Sequence, residues 1–224
     1  MRTARLLRAE WAVLAGPETA LPAVALAVFT ALHAFGPATG PESWRALFVE
    51  NCQSLLPVGV ALAAVPALLR DAEHGTVEGA LVLPARTVGF SRLFLVLAGS
   101  AILALLWLGL LAAAWGPVAF AAGLWAALGP TLFLSGLGVL AGAATGRSSV
   151  GYLLVLGWPT ADLVLRLLGA FQAIPALQWL NVFAYRWPLA LPAWPAVAGL
   201  QALLGAALLL AALLSGRRLL QRLL

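Results

Sequence analysis

Apolar residues in this chain do not form one helical stripe backed by polar positions. They run around all sides for roughly 20 residues at a time, about the length that crosses a hydrocarbon core ~30 Å thick. Six such runs occur, at residues 19–36, 53–69, 93–115, 118–145, 149–168 and 193–215. The pattern predicts an all-α polytopic membrane protein with six transmembrane helices and one transmembrane domain over residues 1–224. No run of polar residues is long enough for a soluble domain of any size.

The segments between the runs carry their own patterns. On a helical wheel of residues 1–15, Arg2, Arg5 and Arg8 share one side while Leu6, Leu7, Trp11 and Leu14 share the other. That arrangement suits a helix lying in the interface with its arginines toward anionic head groups, so membrane lipids are expected partners. A plain positive flank for the first span is the simpler alternative. Residues 37–52, with Glu42, Trp44, Phe48 and Glu50, predict a shorter element. Residues 169–192 hold Phe171, Trp179, Phe183, Tyr185, Trp187 and three prolines. They are too aromatic for a solvated loop and too broken for a seventh span, which predicts one or two short helices at the interface.

Composition sharpens this picture. Of 224 residues, 63% are hydrophobic and only 9% charged, and the mean hydropathy is +1.00, whereas a soluble domain carries about 25% charged residues. All thirteen basic residues are arginine, a bias that suggests a GC-rich genome. Without lysine there is no P-loop of the form G-x-x-x-x-G-K-[ST] and no Schiff-base cofactor. If the protein runs on ATP, another chain must bind it. The single cysteine, Cys52, cannot form an internal disulfide. The opening M-R-T-A-R-L-L-R-A-E-W is too charged for a cleaved signal peptide, so the first span is expected to act as its own insertion signal.

Six spans put both termini on one side, and the arginines choose which. Arg2, Arg5, Arg8, Arg70, Arg86, Arg92, Arg147, Arg217, Arg218 and Arg222 fall on one face, with Arg45, Arg166 and Arg186 on the other. By the positive-inside rule the termini are cytoplasmic, and residues 70–92 form the largest cytoplasmic loop.

Intramembrane polar groups are costly and by default suggest function. His33 lies near the outer end of the first span and reads as an interfacial histidine before a ligand or base. Asp162 and Arg166, four apart in the fifth span, face the same way on a helix and can pair. They fit either a structural ion pair or a substrate path. No H-E-x-x-H and no Cys/His pair is present, so no metal site is expected. An intramembrane serine protease needs a histidine facing its serine, and only the first span has one. The chain therefore does not read as an enzyme. Gly138, Gly142 and Gly146 recur every fourth residue, a spacing for close helix packing, either in a dimer or against a neighbouring span. Pro130 and Pro159 are expected to break or kink their helices.

The most polar internal stretch is R-D-A-E-H-G-T-V-E-G-A-L-V-L-P-A-R-T-V-G-F-S-R, residues 70–92. As a helix it puts Asp71 and Glu78 on one side and Glu73 on the other, with Leu81, Val82 and Leu83 holding it to the membrane. A short interfacial helix ending near Pro84, then a turn through Gly89, is the expectation.

This stretch resembles the loop between the second and third spans of ABC type 2 transporter permeases, the membrane subunits of ABC exporters. Their pattern is close to E-x-G-T-x-E-x-L-L-x-x-P-x-[ST]-R, followed by a basic residue opening the third span. Glu73, Gly75, Thr76, Glu78, Leu81 and Pro84 match, and Arg92 stands where the family usually has lysine. Gly79 and Ala80 replace common leucines, and Arg86 follows Ala85 without the intervening hydroxyl residue. The resemblance extends to the interfacial N-terminal helix, the six spans and the aromatic segment before the last span.

It implies that two permease subunits pair, identical or related, and that each docks a separate ATPase subunit carrying ATP and Mg. The loop would be the coupling helix seated on that ATPase. Glu73, Gly75, Thr76, Glu78, Pro84 and Arg86 would be the coupling residues, with Arg2, Arg5, Arg8 and Trp11 in the interfacial helix bordering it. No cofactor is implied on this chain and no nucleic acid as a partner. The residues by themselves leave two other readings open: an intramembrane enzyme acting on a lipid or peptide, and an ion-coupled carrier using Asp162.

Overall fold

A run with no polar face can satisfy its backbone in an apolar medium only internally, and the helical ladder does this within one segment. The computed structural model describes residues 17–35, 41–69, 85–115, 120–185 and 193–221, and these are mostly helical, with no strand among them. Helix α1 is Leu21–Phe35, entered through a 3-10 turn at Pro17–Ala20. Helix α2 is Pro41–Ala64, prolonged by a 3-10 turn at Val65–Leu68. Then come α3 (Ala85–Trp115), α4 (Phe120–Thr145) and α5 (Ser148–Leu167). After the short α6 (Ala170–Ala173) and a 3-10 segment at Pro175–Leu180, α7 runs over Trp194–Gln221.

Among the described residues four helices are long and apolar enough to cross a membrane, α3, α4, α5 and α7. The helices of the first two runs are not among these four. Helix α1 has 15 residues, about 22 Å at ~1.5 Å per residue, short of a ~30 Å core. In α2 and its 3-10 extension only Cys52–Leu68 is apolar enough to count, because the helix starts eleven residues earlier through Glu42, Arg45 and Glu50. The separate element expected at 37–52 is thus mostly the first half of α2. Pro41 opens it at the position where a missing N–H costs nothing, and no breaker follows before Pro57.

Three other boundaries differ from expectation. Helix α3 starts at Ala85, so the connection after α2 is shorter than 70–92, and Gly89 lies inside the helix instead of in a turn. A Cβ on Gly89 would stand 2.6 Å from Leu68 Cδ2, so the glycine serves close packing against the end of α2. Arg92 lies two turns into α3 and is buried, not at the helix opening. The last helix continues through Arg217 and Arg218, past the apolar run that ends at 215. Helices α4 and α5 run unbroken through Pro130 and Pro159.

Helix α4 is the axis of the bundle, packing most extensively on α7, then α2, then α5. Its sequence explains this, since Gly123, Ala126, Ala127, Gly129, Gly136, Gly138, Gly142 and Ala143 are buried on several sides. Small residues let helices approach without a hydrophobic driving force between them. Gly205 of α7 lies against the backbone of Leu132 and Phe133, leaving no room for a Cβ. Gly138 meets Gly151 of α5 and Val65, and Gly142 meets Leu69. At these two positions the space is taken by the same chain. Gly146 has φ 69°, the left-handed conformation that turns the chain from α4 into α5.

Candidate functional site

Between α5 and α7 the chain makes an excursion that its aromatic composition does not suggest. Residues 181–184 are buried: Asn181, Val182, Phe183 and Ala184 all enter the bundle. Their backbone is not helical. Irregular backbone at that depth needs partners from the surrounding protein.

Three helices supply them. From α2, Gln53 Oε1 accepts the Tyr185 N–H at 2.9 Å. From α7, Gln201 Nε2 donates to the Asn181 carbonyl oxygen at 2.9 Å. From α5, the Asp162 carboxylate lies toward the Phe183 N–H, and Trp158 Nε1 donates to the Leu180 carbonyl oxygen at 3.4 Å. Asn181 Oδ1 accepts the Phe183 N–H at 2.9 Å, an Asx-type turn that folds the segment on itself. Phe183 and Val182 join a core cluster with Ala61, Val65, Phe133 and Val155. Phe133 and Trp158 meet edge to face with ring centroids 5.4 Å apart.

The depth follows from helix geometry. Gln201 is seven residues into α7 and Asp162 five residues before the end of α5, about 8–10 Å inside at ~1.5 Å per residue. Pro57 lacks an N–H, so the Gln53 carbonyl one turn earlier loses its helical donor beside this cluster.

Asp162 is the charged member of the cluster and is only 3% exposed. Its Oδ2 has no hydrogen-bond partner among the described residues. It borders a cavity of about 90 Å³ lined by Trp158, Ala161, Leu165, Phe171 and Leu180, room for about three waters at ~30 Å³ each. Arg166, one turn on, interacts electrostatically with Asp162, and its guanidinium carbon stands 5.4 Å from the centre of the Phe171 ring. A carboxylate, a nearby guanidinium and a small apolar cavity can hold a proton or a compact polar group. No nucleophile and base are paired here. Among the described residues no group of three His, Cys, Asp or Glu residues could hold a metal ion.

His33 belongs to the last turn of α1, and Arg86 to the first turn of α3. Cys52 is a buried free thiol in α2. Arg2, Arg5, Arg8 and Trp11 of the expected interfacial helix lie outside the described residues. So do Glu73, Gly75, Thr76, Glu78 and Pro84 of the expected coupling loop. Gln53, Asn181 and Gln201 were not singled out by sequence reasoning, although a lone amide within an apolar run is a signal that could have found them.

Comparison with family models, with curated proteins and with solved structures yields no match for this chain.

Proposed function

We propose that this chain is the membrane subunit of an ATP-driven exporter of the ABC type 2 class. The observation that carries the reading is the run E-H-G-T-V-E at residues 73–78, placed between the apolar helices α2 and α3 in a chain with no lysine. A separate ATPase subunit supplies ATP and Mg, and the loop between α2 and α3 is where it docks. The first two apolar runs complete six spans with cytoplasmic termini in a bacterial plasma membrane. Two such subunits, identical or related, form the pathway for a hydrophobic or amphipathic substrate such as a peptide, a drug or a lipid-like molecule. Coupling requires the loop to bind two ATPase states with different affinity, since equal affinity shifts no equilibrium.

Purification from native membranes in mild detergent tests the reading. A nucleotide-binding ATPase subunit should accompany the wild-type chain and be lost from the doubly substituted Glu73→Gln, Glu78→Gln protein, with membrane insertion unchanged. Recovery of the wild-type chain with no such subunit overturns it.

A second reading, an ion-coupled carrier, is favoured by one observation: the buried Asp162 with an unpartnered oxygen on a cavity. Transport that persists without any ATPase and stops in Asp162→Asn would select it.

A further inference from the structure

Helices α3 and α4 are consecutive, joined across residues 116–119 alone, yet they hardly touch. Between them lies a groove of about 480 Å³. Helix α2 forms its floor with Leu56 and Val60. One wall is α3 from Leu97 to Leu105, the other α4 from Ala121 to Leu132. The lining is hydrocarbon apart from the Ser100 and Thr131 hydroxyls and the Trp125 indole nitrogen, which donates to the Pro195 carbonyl oxygen at 3.3 Å.

We propose that this groove is a binding site for one acyl chain of a membrane phospholipid. Both walls belong to helices long and apolar enough to cross a membrane. The groove is continuous with the surface that would face hydrocarbon, because Ile102, Leu106 and Leu110 of α3 and Leu128 of α4 are exposed beside it. Its length is set by the helices: eight residue steps from Leu97 to Leu105 of α3 and eleven from Ala121 to Leu132 of α4 give about 12–16 Å at ~1.5 Å per residue. That is about half of a ~30 Å hydrocarbon core, the reach of a chain from one leaflet. Along α4 the groove begins at the first turn and ends near the middle, and along α3 it occupies the middle of the apolar stretch. Its volume is about three times that of a ~150 Å³ apolar cavity, which stays dry and takes a benzene-sized guest. Each buried methylene contributes about 0.8 kcal/mol in water, but little against bulk lipid. Selectivity for this place therefore comes from enclosure by three helices. The exposed face along Leu153, Gly157 and Val164 is lined by α5 alone and offers no such enclosure.

The proposal does not depend on ATP-driven export, and its test reads neither transport nor ATPase docking. The full chain is placed in vesicles of phosphatidylethanolamine and phosphatidylglycerol that contain a phosphatidylcholine with a photoreactive diazirine midway along one acyl chain. After illumination, adducts are mapped by mass spectrometry. Peptides covering 97–105 and 121–132 should carry several-fold more label than the α5 face at 153–164. Substitution Ala101→Trp fills the groove and should remove the label from 121–132 while leaving the α5 label unchanged. Ala104→Leu serves the same purpose if the first variant does not fold. Equal labelling of groove and α5 face would mean ordinary boundary lipid and overturn the proposal, as would labelling that survives filling. Efficient cross-linking of Ala101→Cys between two copies would also overturn it, by showing that a second chain covers the groove.

Discussion

Gln201 Nε2 donates to the Asn181 carbonyl oxygen at 2.9 Å, and both residues are almost completely shielded from the surroundings. This bond ties α7 to an irregular segment that has no ladder of its own. Its removal leaves a buried carbonyl without its donor, which costs about 1–3 kcal/mol. Gln201→Leu should therefore lower the thermal unfolding midpoint of the detergent-solubilised protein. It should also raise the rate at which a cysteine introduced at buried Ala184 reacts with maleimide. An unchanged labelling rate would mean that the segment is held by Gln53 and Asp162 without Gln201.

Gly205 and Gly157 make opposite predictions for the same substitution. A methyl at Gly205 would enter the backbone of Leu132, so Gly205→Ala must push α7 away from α4. Overpacking of this kind costs about 1–3 kcal/mol and sometimes more. A methyl at Gly157 meets nothing within 4 Å, and alanine gains up to ~1 kcal/mol of helix propensity. Gly205→Ala should lower the unfolding midpoint or give aggregated material on size exclusion, while Gly157→Ala should match or exceed the wild type.

Trp107 Nε1 donates to Thr30 Oγ1 at 2.8 Å, linking α3 to α1. Trp107→Phe keeps the ring and removes the donor, with an expected loss of about 0.5–1.5 kcal/mol. Thr30→Val removes the acceptor, and the double variant should cost less than the sum of the two. Strict additivity in a double-mutant cycle would show that the bond contributes nothing.

Cys52 is a buried free thiol in the core cluster of Leu26, Phe48 and Leu108. It should resist maleimide in the folded protein and react once the chain is denatured in dodecyl sulfate. Fast reaction in the folded state would contradict the packing of α2 against α1, α3 and α4.

Asp162→Asn keeps the shape of the side chain, replaces one acceptor oxygen by an NH2 donor and removes the charge beside Arg166. Under ATP-driven export, a co-purifying ATPase should remain bound, because Asp162 belongs to α5 and not to the run at 73–78 assigned to docking. Loss of transport with docking intact would put Asp162 in the substrate path.

The apolar runs by themselves determined that the chain is helical and where most helices lie, because a segment without a polar face has no other way to satisfy its backbone in hydrocarbon. Residues 120–145 and 148–167 were legible nearly to the residue for that reason. The pattern could not decide that 41–52 joins the following run in one helix, because a polar half and an apolar half read as two elements. Nor could it decide that Gly89 packs instead of turning, since a glycine's neighbours across space are not its neighbours in sequence. The site was least legible. Asp162 was visible as a charge in an apolar run, but Gln53, Asn181 and Gln201 lie far apart along the chain. Only the tertiary structure brings them together, because α2, α5 and α7 close around a segment whose buried N–H and C=O groups each require a partner from elsewhere in the fold.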